Sequence, residues 1–347
     1  MDSPQILTPG LDASASMFRY RLYGLAIASD VAFPELPEIR DVYSAPAPDV
    51  VLSLKDSGRS PPNLSGARDW LASFRLPDGS PWLDCARADG GFILRFAETA
   101  VFWAARDGRR VICRGSMREL AADDLRHVII DQMMPRVLGL LGHHALHATA
   151  VLTRYGVCAF TGPSGCGKST LAASFALDGY PCLGDDCLRL QPGPPAIVTP
   201  AYPGVRLWRD AFAALAEKSD ASAFAIGADQ ESESKIRLIA DGAAFSQDHQ
   251  PLFRIYRVVR MGGENPAAID APRISRLTPR EALIELLSQS FRLVVDDREM
   301  LAREFAFFRA IVEHVPVRRL EVPGHFSALP GVRRMILQDL EQDLDSH

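Results

Sequence analysis

The chain has 347 residues, enough for about two domains at roughly 150 residues each. Apolar residues make up 47% and charged residues 23%, which excludes a mainly disordered chain and a disulfide-stapled miniprotein. A net charge of −5 excludes a general polyanion binder, so neither nucleic acid nor an anionic membrane is expected as a partner.

In chain order, residues 1–16 read as a loose start. Residues 18–22 and 48–53 read as short strands. Residues 90–115 read as a hairpin about Asp107-Gly108, a pair that tolerates the positive φ of a tight turn. The first 120 residues therefore read as a mostly β unit, and 121–347 as a second domain. From 123 to 141 the apolar positions Leu125, Val128, Ile129, Met133, Val137 and Leu140 repeat near the helical period. His143 and His144 then suit a helix C-terminus. The stretch 127–141 is too short, and too broken by Asp131, Pro135 and Arg136, to span a bilayer.

A second hairpin turns at Arg154-Tyr155-Gly156 and leads into a glycine-rich loop. A helix over 168–177 follows, and then a strand over 180–190 that carries two carboxylates. Residues 191–200 are a Pro-rich connection, and a short helix runs from Trp208 to about 215. The polar stretch 229–238 reads as a loop leading to a strand, 252–260 as a strand, and 262–272 as a loop. Thr278-Pro279-Arg280-Glu281 has the N-cap, N1 and N3 residues of a helix start. A longer helix over 296–314, a strand at 317–323 and a terminal helix from Ser327 complete the pattern. The six cysteines form no CxxC pair and read as small buried hydrophobes in a reducing cytoplasm. No signal peptide opens the chain, so a cytoplasmic location is expected.

Gly162-Pro163-Ser164-Gly165-Cys166-Gly167-Lys168-Ser169, followed by Thr170, satisfies the form G-x-x-x-x-G-K-S between a strand and a helix. Its glycines let the backbone curl so that N–H groups converge on phosphate oxygens, and the helix N-terminus adds partial positive charge. Lys168 is placed for the β and γ phosphates and Ser169 for Mg²⁺. Asp185 and Asp186 follow Lys168 by 17 and 18 residues. One carboxylate can hold the metal and the other can take a proton from an incoming hydroxyl. His147, 21 residues before Lys168, is placed to orient a carboxylate or contact phosphate.

The segment HALHATAVLTRYGVCAFTGPSGCGKSTLAASFALDGYPCLGDD, residues 144–186, resembles the catalytic core of the HPr serine kinase/phosphorylase superfamily. It is nearest to the kinase-like proteins of lasso-peptide and related biosynthetic clusters. Residues 18–38, 201–210, 232–238 and 277–291 resemble further stretches of those kinases. The resemblance implies a mixed α/β fold, with a P-loop kinase core of the HPr kinase or phosphoenolpyruvate carboxykinase type after the β unit. It implies ATP and Mg²⁺ as cofactors, and a peptide or protein with an acceptor serine as partner. It also implies a homo-oligomer. By the same resemblance, His147 matches the family histidine, Asp185 the base that deprotonates the serine, and Asp186 a residue near Mg²⁺ together with Ser169. The glycine-rich signature with its arginine, which follows the Asp pair in the bifunctional enzymes, has no match here. Arg206 and Lys235 are the nearest basic residues for a triphosphate.

Phosphotransfer to a peptide serine is the leading reading. A small-molecule kinase on the same scaffold and a nucleotide-dependent peptide-escort factor are the alternatives. No LSGGQ-like transporter signature is present in the sequence.

Overall fold

Strand Ala100–Ala105 alternates buried and half-buried side chains, the period-2 pattern of a sheet with one wet face. The computed structural model describes residues 17–41, 47–54, 70–76, 78–97, 100–114, 122–217, 224–226, 235–240, 245–261, 271–293 and 297–344. The expected loose start at 1–16, and most of the expected loops at 229–238 and 262–272, lie outside the described residues.

The first sheet has eight strands: β1 (Phe18–Leu22), β2 (Leu25–Ser29), β3 (Val50–Ser53), β4 (Trp70–Arg75), β5 (Pro81–Ala88), β6 (Gly91–Phe96), β7 (Ala100–Ala105) and β8 (Arg110–Arg114). Their order is β1-β2-β3-β8-β7-β6-β5-β4. The expected hairpin at 90–115 is three strands, with the Asp107-Gly108 turn joining the last two.

The next helical stretch differs from the expected single helix. It runs as α1 (Ala122–His127), a π-helical turn over Val128–Met133, and α2 (Met134–Leu140). Pro135 explains the widened turn. It has no N–H to give the Asp131 carbonyl four residues back, and its ring would clash with that carbonyl in an ordinary α-turn. Ile129, Met133 and Val137 share one buried cluster with Leu83, Leu94 and Phe102 of the first sheet.

The second sheet contains β9 (His144–Leu146), β10 (Ala148–Thr153) and β11 (Gly156–Thr161). After α3 (Lys168–Ala176) come β12 (Cys182–Gly184), β13 (Leu188–Gln191) and β14 (Ile197–Thr199). A small separate sheet follows, of β15 (Gly204–Trp208), β16 (Phe224–Ile226) and β17 (Lys235–Ala240), with α4 (Arg209–Ala216) after β15. The chain then returns with β18 (Gln250–Met261), β19 (Arg273–Arg276), α5 (Pro279–Ser288), α6 (Arg298–His314), β20 (Val317–Pro323) and α7 (Leu329–Leu344).

The core of the second sheet is parallel, with β11 against β18 and β18 against β20. Every residue of β11 is buried. Cys158 and Phe160 face a cluster with Phe175 of α3 and Ile336 of α7, while Val157 and Ala159 face one with Leu286 of α5 and Phe308 of α6. Helices on both faces explain why this strand is a continuous apolar run. The architecture is mixed α/β.

Two further expectations are corrected. His144 opens β9 instead of ending a helix, and its ring lies 4.3 Å from that of Phe307. The expected strand at 180–190 is two strands, because Asp186 takes a left-handed φ of 59° that no strand accommodates. The Thr278 start forms a full capping box with Glu281, as expected.

α7 is tied to the sheet by a buried carboxylate. Asp339 accepts from Arg254 Nη1 at 3.0 Å and from the Tyr256 hydroxyl at 2.6 Å, and Arg318 binds its other oxygen. Asp339→Ala removes the carboxylate that two guanidinium groups share. It is expected to cost about 3 kcal/mol or more of unfolding free energy, read from urea denaturation.

Candidate active site

β11 delivers the chain into the glycine-rich loop at its C-terminal end. Gly162 has φ 133°, and a Cβ there would sit 2.7 Å from the Val258 carbonyl oxygen. Both the backbone conformation and the close approach require glycine. Gly162→Ala is therefore expected to destabilise the fold by about 1–3 kcal/mol, measurable by thermal melting. Gly167, with φ 102°, ends the loop and stands at the N-cap of α3 without any side-chain cap. The first N–H groups of α3 thus meet no side-chain acceptor at the cap, as an anion site requires.

Lys168 is buried, and its Nζ donates to the carbonyls of Gly162 at 2.8 Å and Pro163 at 3.2 Å. The ammonium is held by the mouth of its own loop. Ser169, one residue on, donates to Asp185 Oδ1 at 2.9 Å. The Thr149 hydroxyl of β10 donates to the same oxygen at 2.5 Å, and the Arg206 backbone N–H donates to Oδ2 at 2.9 Å. Asp185 is 1% exposed, with both oxygens engaged.

Asp186 sits in the break between β12 and β13. Its left-handed backbone turns its side chain into a cleft of about 200 Å³ that Asp185 does not line. Asp186 Oδ1 lies 3.7 Å from His147 Nε2, and its side chain keeps 18% exposure. His147 is fixed through its backbone N–H, which donates to the Gln289 carbonyl at 2.7 Å, and its ring packs against Phe291.

The two carboxyls differ electrostatically. Burial, and then the charge of Asp186, push Asp185 up to about 6. Burial also pushes Asp186 up, but the nearby imidazole of His147 and the charges of His127 and Lys235 outweigh it, so this carboxyl lies well below the usual range. Folded Asp185 therefore holds a proton up to about pH 6, whereas the unfolded side chain releases it near its ordinary value of 3.8. Between those values the folded state binds more protons, so this group's contribution to stability falls as pH rises through the window. Asp185→Asn removes that fall, and the amide can still serve the Thr149, Ser169 and Arg206 partners. Its melting temperature without nucleotide is expected to match or exceed wild type at about pH 7.5, with the gap narrowing by about pH 5.

The cleft brings together the loop residues Ser164 to Thr170 with His147, Asp186, Arg206 and Lys235. Gly162 and Asp185 are buried and do not line it, and neither does the exposed Pro163. Arg206 on β15 is buried, with Nη2 3.7 Å from Asp124. Lys235 pairs in register with Trp208 across the small sheet, its Nζ 5.2 Å from the indole ring. Sequence reading passed over Trp208 as a cleft residue. Its signal is physical: it is 49% exposed at the end of a strand whose other residues are buried. Sequence reading also passed over the group beside Asp186. His127, Asp131 and Asp186 bring donor atoms within 4.8 Å of one another. Asp131 accepts from the Tyr202 hydroxyl at 3.1 Å and pairs with His127 Nδ1 at 2.6 Å.

Ser169 and Asp185 offer hard oxygen donors beside the loop, the donor type that Mg²⁺ prefers, so the residues fit that ion. Among the described residues, no helix is long and apolar enough to cross a membrane.

One solved structure similar to this chain is a kinase/phosphatase. It is the HPr(Ser) kinase/phosphatase from Coxiella burnetii. The match covers 57% of this chain and 98% of that one, at 12% identity and a TM-score of 0.29. No protein-family model matches the chain, and no curated protein does. A TM-score this low leaves the functional reading to the geometry of the site itself.

Proposed function

We propose that this chain is an ATP- and Mg²⁺-dependent kinase that phosphorylates a serine hydroxyl of a peptide or protein. The resemblance in residues 144–186 points to a ribosomally made, lasso-type precursor peptide as the substrate, in the cytoplasm. The observation that carries the reading is the division of the Asp pair. Asp185 is bonded to Ser169 behind the phosphate loop, and Asp186 faces the open cleft beside His147.

That division supports exchanged roles relative to the expected ones. The resemblance gives the base to Asp185 and the metal side to Asp186. Asp185 has both oxygens taken and is out of a substrate's reach, while its bond to the loop serine suits the metal side. Asp186 is open to an acceptor. A carboxyl near 6 would suit a base, but a base must first reach its proton, and geometry decides before pKa.

The chain's residues then act as follows. The loop N–H groups and Lys168 bind the phosphate tail and stabilise charge on the group in transit. Asp186, oriented by His147, accepts the serine proton as the hydroxyl oxygen bonds to the γ-phosphorus. The bond from that phosphorus to the bridging oxygen breaks, and ADP leaves. Mg²⁺, when bound, offsets charge on the β- and γ-phosphate oxygens. Arg206 and Lys235 flank the phosphate tail from the small sheet. The β unit of residues 1–120 is a recognition module for the peptide.

Mass spectrometry of a serine-bearing precursor peptide incubated with protein, ATP and Mg²⁺ tests the substrate class. One phosphate on that peptide, and none on its Ser→Ala counterpart, is expected. Equal modification of both would exclude serine as the acceptor.

A further inference from the structure

We propose that a second, smaller cavity behind Phe291 is a binding site for a small oxyanion, a carboxylate or an inorganic phosphate, held by the guanidinium of Arg136. This site stands independently of the kinase reading.

Arg136 belongs to α2 and is 7% exposed. Its Nη1 donates to the Gln132 carbonyl at 2.6 Å, while its Nε is buried with no partner. Among the described residues, no carboxylate pairs with it. Burial pushes its pKa down to about 10, and the groups that oppose the fall are the thiols of Cys85 and Cys187. The rings of Phe74 and Phe291 lie 5.9 and 5.4 Å from the guanidinium carbon. Such stacking offsets part of the cost of burying a cation but supplies no counter-charge. A buried guanidinium with an unpartnered N–H lacks an acceptor, and oxyanions are the acceptors that guanidinium groups bind most strongly.

The cavity beside it, of about 50 Å³, is lined by Arg136, His143, His144, Phe291, Arg292 and Glu304 among others. Arg292 is already committed to Glu304 at 2.6 Å, so that pair contributes little net charge. Burial lowers the pKa of both His143 and His144, which keeps them neutral at pH 7. His143 Nδ1 faces Arg189 Nη2 at 3.3 Å and acts as an acceptor there. The ring proton of His143 is then on Nε2, leaving it a donor. The cavity is therefore lined by one uncompensated guanidinium and by neutral imidazoles, which is the chemistry of an anion site. Phe291 also packs against His147 of the main site, with 5.9 Å between ring centroids.

The test uses the full chain carrying Lys168→Ala, so that anions bound at the phosphate loop do not contribute. Acetate, phosphate and an acidic peptide are each titrated while the melting temperature is followed. A rise that Arg136→Gln shifts to about tenfold higher ligand concentration, or abolishes, is expected. A response to acetate or phosphate identifies a free anion, and a response to the Asp- or Glu-bearing peptide alone identifies a partner's side chain. Both support the site. Should Arg136→Gln not fold, bromide-soaked crystals of the wild type give the second reading. An anomalous peak beside Arg136 supports the proposal. Only water in the cavity, or titrations unaffected by the loss of Arg136, would overturn it.

Discussion

Replacing Lys168 with alanine is expected to reduce phosphotransfer by about 10²–10³-fold, the usual effect of removing one preorganised donor from a transition state. The ammonium is buried and already aimed, since it spans the loop carbonyls of Gly162 and Pro163. Incoming phosphate oxygens offer the same donor charged acceptors in place of neutral carbonyls, and such bonds are about twice as strong. Fold stability should change little, because among the described residues Lys168 pairs with carbonyls and with no carboxylate. Single-turnover transfer, measured beside a thermal melt, separates the two effects. A variant that transfers at the wild-type rate would remove Lys168 from the chemistry.

The second large effect distinguishes the two carboxylates. Asp186→Asn is expected to lower the rate of transfer by about 10²–10⁴-fold, the range for loss of a general base, while Mg²⁺-ATP still binds. Asp185→Asn is expected to act earlier, by raising the Mg²⁺ concentration needed for nucleotide binding, because it removes the charge bonded to Ser169. Nucleotide titration at several Mg²⁺ concentrations, paired with turnover rates, reads both. The reverse pattern would return the base to Asp185 and the metal side to Asp186.

The parts of the site carried by local sequence were legible. The glycine-rich loop stands between a strand and a helix, as its motif predicts, and β11 is a continuous apolar run because helices cover both of its faces. The capping box at Thr278 was legible for the same reason, since its bonds lie within four residues. What sequence could not show depended on backbone exceptions or distant partners. Asp185 and Asp186 read as one strand because nothing local announces a left-handed φ at an aspartate. The π-helical turn placed Asp131 beside His127, Tyr202 and Asp186, and Tyr202 lies 71 residues from Asp131 along the chain. Arg136 read as an ordinary interruption of an apolar stretch. Its burial against Phe74 and Phe291 exists only once three separate segments pack.

The most direct measurement is transfer of label from γ-labelled ATP to a serine-bearing precursor peptide, comparing wild type with Lys168→Ala and Asp186→Asn. Labelled peptide with the wild type, and near-background label with both variants, is the predicted result. Tight nucleotide binding by the wild type without label on any peptide would contradict the kinase reading and favour a nucleotide-dependent escort of the peptide.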